Sequence, residues 1–159
     1  MHALLPPREE AARLLQEYLE HSIPLVPQMQ IRVVELNDAH LVLGAPLAPN
    51  RNHIGTVFGG SLNGLATLSC WGLVWLLLHG RGAQIVIREG NMKFRRPATS
   101  EFTAHCPLPP PDVQRQFVEQ FQRRGRAGLD LEAEVHCNGS RVAEFQGNFV
   151  AIRSAKAET

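Results

Sequence analysis

Asn52-His53-Ile54-Gly55-Thr56-Val57-Phe58-Gly59-Gly60-Ser61, followed at once by the apolar and small residues from Leu62 to Leu78, is the stretch that decides how this chain is read. Paired glycines at the mouth of a long helix leave backbone N–H groups uncovered. The first turn of a helix has unpaired donors and carries the positive end of its dipole. A polarised carbonyl oxygen or an anion suits that position. A carboxamide, Asn52, arrives just ahead of it. The layout suits an acyl carbonyl.

Working outward, the run to Leu78 contains Asn63, Thr67 and Ser69 together with Gly64 and Gly72. A helix apolar on every side either crosses a membrane or fills the centre of a domain. Most of the remaining chain reads as strands that need something apolar to wrap, so the expectation is a buried central helix over about 59–78 and no membrane insertion. The 159 residues suffice for one domain with a real core, and 44% hydrophobic against 19% charged residues is a globular balance. Sixteen basic and fifteen acidic residues leave a net charge of +1, which calls for no nucleic-acid partner. Cys70, Cys106 and Cys137 are odd in number, far apart and without a CxxC. They read as reduced thiols in a cytoplasmic protein, with no metal site. The start, Met1 to Pro7, lacks the basic and apolar pattern of a secretory signal.

Ahead of the central stretch, 8–21 reads as a short amphipathic helix from Ala12, Leu15 and Leu19 at helical spacing. Alternation from Met29 to Leu36 predicts a strand, and Asn37-Asp38 turns it into a second, Ala39 to Pro46. Beyond Gly80-Arg81-Gly82 come a long strand pattern, Ala83 to Arg96, and another, Glu101 to Leu108. A short helix starts at Asp112 and ends at Gly125. Two more strands, Ala127 to Cys137 and Arg141 to Arg153, flank an Asn138-Gly139 turn. One long helix and six strands predict an α+β domain, an antiparallel sheet curled around a central helix.

That order resembles the hotdog fold. Asn52-x-x-Gly55-x-x-Phe58-Gly59-Gly60 is similar to the Asn-x-x-Gly-x-x-His-Gly-Gly pattern of hotdog acyl thioesterases. The longer string Gly55 to Leu62, with Leu65-Ala66-Thr67-Leu68 and Trp71 to Leu76, resembles the thioesterase domain at the C-terminus of YiiD-type proteins. The likeness extends over about residues 20–153. It implies hydrolysis of acyl thioesters of coenzyme A or acyl carrier protein, without a cofactor, by a homodimer or dimer of dimers. The chain departs from the pattern at Phe58, where many members carry His. It departs again at Thr67, where a frequent variant carries a catalytic acid.

Gly59 and Gly60 are the candidate oxyanion donors, or else simply permit close packing of the helix start. The resemblance implies that Asn52 orients the carbonyl or the water, whereas its Pro-Asn-Arg-Asn loop alone suggests a turn former. On the long strand, 87, 89, 91 and 93 are expected on one face. The resemblance then brings Glu89 to Gly60 of a second subunit as the base, with Asn91 beside it. The alternative is an exposed carboxylate paired with Arg88 or Lys93. His53 is either a base or an ordinary loop histidine. Ser61 and Thr67 are candidates to hold water, and Phe58, Leu62, Leu65 and Trp71 to line an acyl tunnel. Arg95 and Arg96 are candidates for carrier phosphates. His105-Cys106 and His136-Cys137 read as ordinary strand pairs. The alternatives to hydrolysis are a non-hydrolytic acyl-thioester-binding or transfer protein, and a hotdog dehydratase with His53 in the histidine's part.

Overall fold

The computed structural model describes residues 5–155; the expectation for the extreme N-terminus lies partly outside them. The element order is α1 (Arg8–Ser22), α2 (Leu25–Met29), β1 (Arg32–Leu36), β2 (His40–Ala45), a 3-10 turn (Ala48–Asn50), α3 (Gly59–Leu77), β3 (Ala83–Phe94), β4 (Phe102–Pro107), α4 (Pro111–Arg124), β5 (Arg126–Cys137) and β6 (Ser140–Arg153). The strands form one six-stranded antiparallel sheet in the order β1-β2-β4-β5-β6-β3. α3 packs against β2, β3, β4, β5 and β6. It is the one helix among the described residues long and apolar enough to cross a membrane, and it is instead the axis of the core.

Alternation builds the wrapping. Every second residue of β5, from Ala127 to Cys137, is buried under α3 and α4, while its neighbours are exposed or, at His136, half-buried. We call the buried side the inner face. β5 and β6 are joined at Asn138 (φ 52°) and Gly139 (φ 76°), the left-handed pair that a two-residue hairpin requires. α4 fills the lane beside β5 where β4 has ended, burying Phe117, Val118 and Phe121. α1 buries Ala11, Leu15 and Leu19 over β1 and α3.

Two expectations are corrected. Met29 is helical rather than the start of a strand. Val26 and Met29 bury one side of the single turn α2, Pro27 sits in its first turn where no N–H is needed, and Gln30 (φ 56°) stops it. In β3, Ile87 stands opposite Phe149 but Glu89 stands opposite Asn148, so the ladder slips by one residue at Arg88. The bulge reverses the face of everything after it. Ile85 and Ile87 lie on the inner face, and Gly90, Met92 and Phe94 rejoin it. Glu89, Asn91 and Lys93 are turned outward. The strand also ends at Phe94; Arg95 and Arg96 both give their backbone N–H to the Val142 carbonyl.

Candidate functional site

The segment that leads into α3 is held by carboxamides. Asn50 is buried (2% exposed) and its Nδ2 donates to the carbonyls of Met29 (2.9 Å) and Pro46 (2.8 Å). Its own carbonyl accepts from Phe58 N (2.7 Å). Arg51 and Val57 pair across the loop, and Val57 N donates to Ala98 O (2.8 Å). Inside that frame the side chain of Asn52 serves the loop itself. Its Oδ1 accepts from Ile54 N (3.0 Å) and Thr56 N (3.1 Å), and its Nδ2 donates to Thr56 Oγ1 (2.8 Å). This is an Asx-type turn, the local role that such a residue takes in loops. Asn50, which the sequence reading passed over, carries the longer-range ties.

At the start of α3, Ser61 N (2.9 Å) and Leu62 N (3.2 Å) both donate to Phe58 O. The N–H groups of Gly59 and Gly60 have no acceptor among the described residues. These are the two donors that the motif predicts. Gly60 is exposed, and the Phe58 ring, 57% exposed, lies over it so closely that a Cβ on Gly60 would clash with the ring. Phe94 flanks the same turn, its Cε1 3.4 Å from where a Cβ on Gly59 would stand. The site is an amide pair between two aromatic rings.

Further along α3, an uncovered strip runs through Asn63, Thr67, Trp71 and Trp75, at helical spacing. Thr67 Oγ1 donates to Asn63 Oδ1 (3.3 Å), giving the strip one polar step just past the glycines. Asn63 is a second residue that sequence reasoning missed; its place three residues after Gly60 was the available signal. Ser61, by contrast, is buried (8% exposed), and Leu62 and Leu65 are buried in the core.

The remaining candidates are dispersed. The bulge in β3 puts Glu89 and Asn91 on the outer face, away from α3, lining an open groove of about 690 Å³ with Asp130, Glu132 and Asn148. Glu89 therefore does not share a face with Ile87, as expected from simple alternation. Arg95 is engaged on Glu144 (3.0 Å), which also holds Arg141 (3.1 Å), and its hydrogen bond lowers the pKa of that carboxyl. Arg96 is exposed between Phe94 and Ala98, both at the helix start. His53 is exposed on the loop.

His105 and His136 point outward with ring centroids 4.6 Å apart, while Cys106 and Cys137 are buried on the inner side. Cys106 is pushed well up by the neighbouring Cys70 thiol and by burial, which makes it inert.

With this geometry in hand, comparison with known proteins identifies the chain. Residues 12–153 match the family described as "Putative thioesterase (yiiD_Cterm)". The chain belongs to the YiiD C-terminal thioesterase family. Among solved structures, one described as a "putative thioesterase" from Shewanella oneidensis matches with TM-score 0.81 at 30% identity, covering 91% of this chain and 99% of that one. A protein from Chlorobaculum tepidum TLS, described as of unknown function, matches with TM-score 0.88 at 28% identity, over 95% and 98% of the two chains. A Pseudomonas aeruginosa protein described as a "Probable Thioesterase" matches with TM-score 0.78 at 26% identity, over 96% and 100%. The YiiD-type fold of this chain is thus a hotdog, with α3 as the filling.

Proposed function

We propose that this YiiD-type thioesterase hydrolyses acyl thioesters carried by coenzyme A or by acyl carrier protein. The observation that carries the reading is the pair of unclaimed N–H groups of Gly59 and Gly60 at an open helix start. In the reaction water attacks the thioester carbon, the carbonyl oxygen gains the charge, and the C–S bond breaks to release carboxylate and thiol. The Gly59 and Gly60 amides meet the developing oxyanion, a contribution of about 10²–10³ in rate for one such donor. Asn63, one turn on from Gly60 and held by Thr67 a further turn along, orients the water, and its proton leaves to solvent or to His53. Asn52 and Asn50 hold the loop that presents Phe58. Arg96, exposed beside the helix start, is the candidate to meet a phosphate of the carrier.

β3 is a twelve-residue edge strand. Such an edge invites a second copy of itself, and the exposed Ile87 (42%) and Phe94 (57%) on its inner face support a homodimer joined there. Adding a strand to an edge keeps inner and outer faces as they are, so Glu89 of either copy stays outside and is left out of this reading. The absence of a carboxylate anywhere on α3 favours a second reading, a binder of acyl thioesters that does not turn them over.

The test is thiol release from acyl-CoAs and acyl carrier proteins of short to long chain. Turnover by the wild type, reduced about tenfold or more in Asn63→Ala and in Thr67→Val with melting temperature unchanged, is the expected result. A folded protein that binds acyl-CoA but releases no thiol from any substrate is the binder instead.

A further inference from the structure

α3 and β3 run side by side in opposite directions. Near the start of α3 they meet where Phe94 stands against Gly59. Three turns later they meet again where Trp71 Nε1 donates to the Ile85 carbonyl (3.0 Å). Between those contacts α3 offers Asn63 and Thr67, and the inner face of β3 offers Ile87, Gly90 and Met92. Trp71 closes this strip. Its indole is fixed by the bond to Ile85 and stacks on Tyr18 of α1, centroids 6.0 Å apart at 14°. Further on, where α3 turns into β3, is a hollow of about 330 Å³ lined by Tyr18, Trp75, Leu78, His79, Ala83 and Ile85 among others. Tyr18 stacks on Trp75 there as well, at 4.8 Å.

We propose that Trp71 is the stop that sets acyl chain length: the chain runs from Gly59 and Gly60 along the strip and ends against the indole, which its bond to Ile85 and its stacking on Tyr18 hold across the strip. The inference rests on the acyl-thioester reading above. Gly60 and Trp71 are eleven residues apart, about 16 Å along the axis at the α-helical rise, and side chains lean back toward the helix start by part of a turn. Extended chain advances roughly 1.1–1.2 Å per bond, so about ten to twelve carbons reach the ring. A longer chain must displace the indole from Ile85 and leave that donor unpaired. The preferred substrates are therefore medium-chain acyl thioesters.

Two measurements test it. The first is kcat/KM across acyl-CoAs of even chain length, with Trp71→Leu and Trp71→Phe beside the wild type. Expected is a wild-type optimum near ten to twelve carbons. Trp71→Leu, which removes the ring and its bond to Ile85, raises the ratio of the sixteen-carbon to the ten-carbon substrate about tenfold or more, with Trp71→Phe between. A folded Trp71→Leu protein whose profile parallels the wild type overturns the proposal and leaves thiol release intact. The second does not need turnover. The chain has two tryptophans, so in Trp75→Phe the emission reports Trp71 alone. Emission that shifts only with acyl-CoAs long enough to reach the ring supports the stop, even in a protein that does not hydrolyse. Emission that responds alike to four and twelve carbons overturns it.

Discussion

On one flank α3 presents Leu62, Leu65, Leu68 and Leu73 to the strands, none more than 9% exposed. On the other it presents Gly60, Asn63, Thr67, Trp71 and Trp75, exposed or half-buried. Both flanks belong to one helix without a charged residue, and composition alone does not separate them. The separation comes from where the sheet ends. β6 is followed by the edge strand β3, and no strand among the described residues lies beyond it. The covered flank holds the fold together, and the open flank has room for chemistry. A site of this kind needs donors that the fold leaves uncovered, not an especially polar helix.

The sharpest way to break the comparison is to damage the covered flank. Leu65→Ala empties a fully buried position and is expected to cost about 2–5 kcal/mol, a fall in melting temperature of roughly 4–20 °C for a chain of this size. Circular dichroism melting checks it, and a loss well under 1 kcal/mol would mean that the flank is not packed as described. On the open flank the effect should reverse in kind. Gly60→Ala forces the Phe58 ring aside, so thiol release should fall about tenfold or more while melting changes by only a few degrees. Phe58→Ala in the same chain, by removing the clash, should recover part of that loss. A Gly60→Ala protein with wild-type rates would detach the ring and the amides from the reaction.

A smaller effect is expected on the outer face, where His105 lies between His136 and His40. Partial burial, and then the charges of His136 and His40, lower its pKa, with Glu134 and Glu35 opposing. Its folded pKa is thus below the unfolded value of about 6.5, so the unfolded chain takes the proton first. Stability must then decline as pH falls through that range. The lowered carboxyls of Glu35 and Glu134, hydrogen-bonded to His40 and His136, lose their contribution only further down, below about pH 4.3. Melting followed by dye fluorescence from pH 7 to 5 should show the first decline, and His105→Gln should flatten it by about a degree or two. The smallest effect is assigned to Glu89→Gln. Thiol release within about threefold of wild type is expected, since its face is turned from α3; a loss of a hundredfold would restore it as the base and break the division into inner and outer faces.

Much of this was legible in the residues. Paired glycines ahead of an apolar run marked both the core helix and its uncovered donors, because a helix start always leaves N–H groups over. Asn138-Gly139 marked the last hairpin, because few other pairs accept its left-handed backbone. Glu89 was misplaced because a bulge is one extra residue in a ladder, and alternation counted along one strand cannot see its partner. Met29 misled because three alternating residues fit a strand as well as they fit a helical turn beside Pro27. Asn50 was overlooked beside Asn52 because the two sit in one loop and only their partners tell them apart.

By itself, then, the sequence determined the six strands, the helices α1, α3 and α4, their order and the amide pair at the start of α3, since these depend on neighbours within a turn or a hairpin. Only the tertiary structure decided which flank of α3 stays open, which face of β3 carries Glu89, and what Trp71 closes. Those depend on registers and contacts between residues far apart in the chain, and a shift of one residue in a ladder is enough to reverse them.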